Sequence, residues 1–271
     1  MPPPRVIVLC PLAIEAAAAT VAVGGRASVI AAGPGRRIAD AVRAAAADPG
    51  GRPGLIILAG LCGGLSPTPR APRIGAVISM TAKRWTAPVI VPAAADDPVS
   101  PPRPAAAVNP LAPSNRPRRL YDQPELDQPS DGRVTLLGSD AVIRSPRAKA
   151  ALGERTGADL VDTESHHFAP ACEAAGLCWA IVRAVSDGPG DTLTRGVETW
   201  VDSQGRTKPN AVALACLTRP WIIPSLMRLR ASTAAALDAM ASRLVAVLDA
   251  ETSPAASAPS RPAPSAVGAS R

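Results

Sequence analysis

Aromatic rings are nearly missing from this 271-residue chain, which has one Phe, one Tyr and four Trp. A surface that stacks successive bases of a nucleic acid needs more rings than that, so a nucleic-acid partner is not expected despite a net charge of +7. Lysine is almost as scarce: of 29 basic residues only three are Lys. A bias toward Arg and Ala is what GC-rich coding produces, so the positive charge says little about polyanions. Two neighbouring histidines, His166 and His167, show neither HxxxH nor HExxH spacing, and no metal is expected from them. The five cysteines are scattered and lack any CxxC pair, which argues for reduced, buried thiols rather than a disulfide or zinc framework. No apolar run reaches the ~18 to 20 residues of a membrane span. The N-terminus leads into a short strand-like stretch rather than a signal-peptide core, so a cytoplasmic location is the expectation.

What is abundant is proline, 31 residues, within a chain that is 47% hydrophobic. That apolar share is enough for a sizeable core. Short apolar runs, Val6–Leu9, Ala27–Ala32, Leu55–Ala59, Ile74–Ser79, Arg133–Leu137 and Leu177–Val185, alternate with helix-compatible segments. Unbroken apolar strands between helices predict a mainly parallel sheet covered on both faces. Residues 86–131 carry eleven prolines and no apolar period, and read as an insertion or lid within a domain spanning 1–250. Residues 251–271 are almost wholly Ala, Ser, Pro, Gly and Thr and read as a disordered tail.

Polar groups at strand ends are the candidates for chemistry, because open α/β sheets bind ligands at the carboxyl ends of their strands. Glu15 follows the first strand, and by itself reads equally as a solvated helix residue. Gly33-Pro34-Gly35-Arg36 lies between strand and helix, where free N–H groups and the helix dipole hold an anion or merely make a turn. In Val161-Asp162-Thr163-Glu164-Ser165, Asp162 reads as a helix cap and Glu164 as a first-turn acid, or both belong to a site. Ser186-Asp187 ends a long apolar strand before Gly188-Pro189, which suits either a turn or a desolvated general acid.

Taken in order, five segments resemble the purine nucleoside phosphorylase and methylthioadenosine/S-adenosylhomocysteine nucleosidase superfamily. They are Val8 to Glu15; Ala32-Gly33-Pro34-Gly35-Arg36; Ala59-Gly60-Leu61-Cys62-Gly63-Gly64-Leu65 with Ile74 to Ser79; Val161 to Ser165; and Arg183-Ala184-Val185-Ser186-Asp187. The run Gly157 to His166, with Gly176-Leu177 and Arg219-Pro220, is most similar to the hopanoid-associated phosphorylase family within it. The resemblance implies a three-layer α/β/α fold with a central mixed, largely parallel sheet. It implies no cofactor, and an enzyme that cleaves the N-glycosidic bond of an adenine nucleoside, releasing adenine from adenosylhopane.

By the same resemblance, Asp187 with Ser186 protonates the purine N7. Glu164, with Thr163 beside it, binds the ribose and favours its positive charge, and Glu15 deprotonates the attacking water. Thr163 stands where the superfamily commonly has Met. Gly33, Gly35, Arg36, Gly63 and Gly64 are the candidate ribose or phosphate loops, so phosphate remains open as a co-substrate. A catalytically weakened nucleoside-binding protein is the reading from a different class. A homo-oligomer is the family's usual state. The stretch 219–230, with Trp221, Ile222, Ile223 and Leu226 among arginines, is a candidate for peripheral membrane contact, and packing on the domain or a partner subunit is its alternative.

Overall fold

The computed structural model describes residues 5–65, 73–81 and 134–252. Within them the chain runs β1 (Val6–Cys10), α1 (Ala13–Val23), β2 (Ser28–Ala31), α2 (Arg37–Ala46), β3 (Leu55–Gly64), β4 (Val77–Thr81), β5 (Leu136–Gly138), α3 (Pro146–Thr156), β6 (Leu160–Asp162), α4 (Ser165–Ala174), β7 (Trp179–Asp187), α5 (Pro209–Thr218) and α6 (Ile223–Thr252). Short 3₁₀ turns at Val197–Trp200 and Pro220–Ile222 flank α5. The insertion expected at 86–131 and, of the tail expected at 251–271, residues 253–271 lie outside the described residues; 251 and 252 instead end α6.

The seven strands make one mixed, mostly parallel sheet. β3 is its axis. Its first half pairs in parallel with β1 on one side and β7 on the other, while its last two residues, Gly63 and Gly64, pair antiparallel with β6. β2 extends the sheet beyond β1, β4 runs antiparallel beyond β7, and β5 lies parallel to β6. Alternate residues of the central strands face opposite layers, as the two-residue period of a strand requires. Ile7, Leu9, Ile56, Leu58 and Ile181 pack with Ile38 and Val42 of α2 and Phe168 and Cys172 of α4. Val8, Cys10, Leu55, Ile57 and Val182 pack with Ala16, Ala19 and Val23 of α1 and with α6. Three layers result, as expected.

Helix α6 contributes Ala236, Leu237, Met240, Leu244, Val247 and Leu248 to that second layer, a spacing of three and four residues that puts them on one face. Arg243 ties the same helix to β4 by donating to Ser79 Oγ at 2.7 Å. The helix over Pro220–Ala250 is, by length and composition, long and apolar enough to cross a membrane, which the sequence reading did not foresee; a third of its most apolar window is buried in the domain. Trp179 is a core residue, 4% exposed, with the edge of its ring against Phe168.

Two strands start three residues later than the sequence reading has them. β4 starts at Val77 rather than Ile74, because Gly75 turns the chain at φ +83°. β5 is only three residues long and starts at Leu136, where pairing with Leu160 begins. The run Gly60 to Gly64 is not a loop: it is strand throughout and continues the β3–β7 ladder. Glycine there leaves room for charged side chains. A Cβ on Gly60 would lie 2.3 Å from an Arg183 guanidinium nitrogen and 2.8 Å from a Glu15 oxygen, and one on Gly63 would lie 3.0 Å from an Asp187 oxygen.

Candidate active site

Four segments distant in sequence meet at the carboxyl ends of β1, β3, β6 and β7. Glu15 is the third residue of α1, and its Oε2 accepts the Leu12 N–H at 2.7 Å, so it caps its own helix. Its Oε1 accepts the Leu61 N–H of β3 at 2.8 Å. At 2% exposure it is not the solvated helix residue that an isolated Glu suggests. Burial drives its carboxyl from the ordinary 4.5 up to about 7; the Arg183 guanidinium opposes this shift and the Glu164 carboxylate adds to it.

Arg183, in the middle of β7, is fully buried. Its Nε donates to Asp162 Oδ2 at 2.7 Å and its Nη2 to Glu164 Oε2 at 2.9 Å. Its Nη1 has no hydrogen-bond partner and lies beside Gly60, where Glu15 also sits. Burial works to lower the guanidinium's affinity for its proton, but Asp162, Glu164 and Glu15 together raise it above the usual value. Asp162 does cap α4, accepting from the Ser165 N–H and hydroxyl at 3.1 and 2.5 Å, and it is at the same time an ion-pair partner. Its helix-capping bond and its ion pair therefore coexist, while Glu164 stands just ahead of α4 rather than in its first turn.

Glu164 accepts from Gly35 N–H at 3.2 Å and from the Thr163 hydroxyl through Oε1, while Oε2 takes Arg183. Burial raises its carboxyl, against the pull of Arg183. With a single bond at Oε2, one lone pair there is free for a further donor. Three buried carboxylates thus surround one guanidinium, and Glu15, pushed up to about 7, has no ion-pair bond to it.

Asp187 ends β7 after an irregularity in pairing. Cys62 opposes Val185 but Gly63 opposes Asp187, so Ser186 is an extra residue, and such a bulge re-aims the side chain that follows. Asp187 Oδ1 accepts the Ser186 hydroxyl at 2.9 Å, and Oδ2 accepts Lys149 Nζ at 2.5 Å. Lys149 is fully buried, on the second turn of α3, where Ser145 caps the helix through the Ala148 N–H and Pro146 fills its first position. Its remaining two N–H groups go to the carbonyls of Gly188 and Asp191, at 2.7 and 3.1 Å.

Glu15, Glu164, Thr163, Ser186 and Asp187 are brought together as the resemblance implied. The candidate ribose or phosphate loops join them only in part, with Gly35 on Glu164 and Gly63 beside Asp187. The Gly35 N–H is spent on Glu164, the Ser203 carbonyl oxygen lies 2.3 Å from where a Gly33 Cβ would be, and Arg36 is exposed. Gly63 and Gly64 belong to β3 and pair with β6. Arg183 stood inside a quoted segment without a role, and Lys149 was missed. The one available signal for Lys149 was scarcity, since a chain that writes 26 of 29 basic residues as Arg keeps very few lysines.

The two histidines also turn out differently from the expectation of no metal cluster. Asp140, in the turn after β5, places one carboxylate oxygen 3.1 Å from His166 Nε2 and 3.0 Å from His167 Nε2, so one ligand atom from each of the three falls within 4.8 Å of the others. Burial opposes it, yet the hydrogen bonds from both imidazoles hold Asp140 below the usual carboxylate range, and burial together with His166 lowers His167. In the Nε2–H tautomer both rings donate to this one carboxylate.

The phosphorylase-superfamily sequence model matches residues 15–218. The chain belongs to the phosphorylase superfamily, a family of enzymes acting on N-glycosidic bonds. Its fold is that of solved nucleosidases. It is similar to a mutant of the Helicobacter pylori MTAN with 5′-methylthioadenosine in the active site, at 11% identity and TM-score 0.54, over 91% of this chain and 98% of that one. It is also similar to a putative 5′-methylthioadenosine/S-adenosylhomocysteine nucleosidase from Francisella philomiragia (12%, TM-score 0.53, 90% and 98%). Futalosine hydrolase of Helicobacter pylori matches at 11% with TM-score 0.51 over 92% and 98%. No curated protein matches the chain.

Proposed function

We propose that this superfamily member hydrolyses the N-glycosidic bond of an adenine nucleoside, without a cofactor, and that its substrate is the adenosine cap of a lipid such as adenosylhopane. The observation that carries the hydrolytic reading is the wiring of the Gly33–Arg36 loop. A phosphorolytic site needs free N–H groups and positive charge around the nucleophile. Here Gly35 N–H is taken by Glu164, a carbonyl crowds Gly33, and the buried charges are three carboxylates to one guanidinium, with Arg36 and Arg37 turned to the exposed side of the loop. That surrounding repels phosphate and suits a neutral water.

The chemistry follows from the groups. Water held against ionised Glu15 gives hydroxide to C1′ and its proton to Glu15. Glu164, anchored by Arg183, holds a ribose hydroxyl and stabilises the positive sugar. The departing adenine takes its proton on the side of Asp187. Thr163, standing in place of Met, hydrogen-bonds Glu164 instead of packing under the sugar.

The lipid part of the proposal draws on the surface. Of the stretch 219–230, Ile222 and Leu226 pack inward against Trp200 and Ala215, whereas Trp221, Ile223 and Met227 are exposed beside Leu214 and Leu217 of α5, with Arg219, Arg228 and Arg230 among them. An exposed apolar patch ringed by arginine fits the face of an anionic membrane. A cytoplasmic enzyme meeting its substrate at the membrane surface needs no more than this.

Release of the free base, adenine from adenosylhopane and 5′-methylthioadenosine and hypoxanthine from inosine, each with and without phosphate, tests the assignment. Phosphate-independent release is expected. A strict phosphate requirement would overturn hydrolysis, and nucleoside binding with no release from any of the three would favour the weakened binding protein. Co-sedimentation with phosphatidylglycerol vesicles should fall at least tenfold in Trp221→Glu/Leu217→Glu. Equal recovery with and without vesicles for the unaltered protein would remove the membrane step.

A further inference from the structure

Of the two carboxylates assigned to proton handling, Glu15 has no ammonium against it, whereas Asp187 carries one at 2.5 Å. We propose that Lys149 is the proton source for the leaving purine, acting through Asp187. The inference rests on the glycosidase reading above and specifies how its acid works.

Asp187 has both oxygens occupied by donors, Ser186 Oγ–H on Oδ1 and Lys149 Nζ–H on Oδ2. An ammonium and a carboxylate in contact hold one transferable proton between them, wherever it rests. As the C1′–N9 bond breaks, its electron pair passes to the purine. Asp187 then gives a proton to N7 and takes one from Lys149, so the net change is an Nζ–H bond broken and an N7–H bond formed. Hydroxide from water goes to C1′ and the water's other proton to Glu15. The enzyme is left with neutral Lys149 and protonated Glu15, and exchange through solvent restores both.

The surroundings fit this role. Nζ is out of water, fully paired with one charged and two carbonyl acceptors. The other ionisable groups facing the pair are the Asp191 carboxylate, which accepts the Gly188 N–H, and the Cys62 thiol of β3, which burial pushes up and keeps neutral. Beyond Cys62 lie Arg183, Asp162 and Glu15, whose charges Cys62 also feels. On α3 itself, Arg147, Glu154 and Arg155 are not buried. A purely structural reading would have Lys149 only pinning the 188–191 turn.

The experiment separates the two with leaving groups. 5′-Methylthioadenosine needs a proton on its base, whereas 4-nitrophenyl 5-methylthio-β-ribofuranoside releases a stable anion and needs none. Lys149→Met removes charge and proton. Lys149→Arg keeps the charge and the donors but does not surrender a proton. Both variants should lose about 100-fold or more in kcat for the nucleoside, the usual worth of a general acid, and stay within about threefold on the nitrophenyl substrate.

In the unaltered enzyme, nucleoside cleavage should hold a plateau above neutral pH instead of falling tenfold per pH unit from the carboxylic-acid range, a measurement that needs no variant to fold. The relay is overturned if Lys149→Arg cleaves the nucleoside at the original kcat, if both substrates fall together, or if the plateau is missing. An unaltered enzyme that cleaves neither substrate overturns the glycosidase reading itself, and the relay with it.

Discussion

Glu15 makes one titration visible in two assays. Its carboxyl stands at about 7 in the folded protein against 4.5 for an ordinary Glu, chiefly because burial strips its hydration. The native state therefore binds the extra proton between those two values. The sign follows: stability from this group is fully present below pH 4.5 and is lost as pH rises through about 7. A shift of that size corresponds to about 3 kcal/mol at ~1.4 kcal/mol per pH unit. For a domain of this size that is about 6 to 12 °C in Tm.

Glu15→Gln removes the titration. It also sets an amide NH₂ against one of the two backbone N–H groups that the carboxylate accepts, at a cost of about 1 to 2 kcal/mol. Thermal melts of both proteins at pH 5 and pH 8 isolate the effect, since all other groups cancel in the difference. The variant should be less stable at pH 5 and equal or more stable at pH 8. Activity should run the opposite way, with kcat of the unaltered enzyme rising through about pH 7 as Glu15 ionises, and no such limb in the variant. A difference in Tm that is the same at both pH values would refute the reasoning. The protein is least favoured, at this one residue, in the charge state that does the chemistry.

Three further outcomes follow from the same geometry. Arg183→Met strands Asp162 and Glu164 as buried carboxylates and should cost about 3 to 5 kcal/mol in urea unfolding, with part of the loss recovered in the double variant Arg183→Met/Asp162→Asn. Gly60→Ala drives a methyl into the Arg183 and Glu15 side chains, so it should lower kcat at least tenfold while far-ultraviolet circular dichroism stays unchanged. Leu244→Ala on α6, fully buried against the sheet, should cost about 2 to 5 kcal/mol without changing KM.

The strands were legible where the chain is locally unambiguous. Leu55 to Leu58 reads as buried strand because no helix of useful length fits between its flanking glycines, and it is the sheet's axis. The same local logic failed at Gly60 to Gly64. Glycines punctuate a strand pattern when only neighbours are considered, but here two missing Cβ atoms make room for charges from other segments, Arg183 and Glu15 at Gly60 and Asp187 at Gly63, and the third, at Gly64, for the Pro189 ring. Arg183 was hidden for the converse reason. It sits inside the apolar run 177–185, and nothing within that run shows that Asp162 and Glu164, about twenty residues earlier, neutralise it.

Lys149 is the extreme case, because a lysine on a short helix reads as solvated until the turn after Asp187, some forty residues on, closes over it with two carbonyls and a carboxylate. Burying an ion demands partners, and the chain draws those partners from wherever the topology brings strand ends together. The candidate acids can therefore be found one by one at strand ends. The charges that set their protonation could only be found by assembling the sheet.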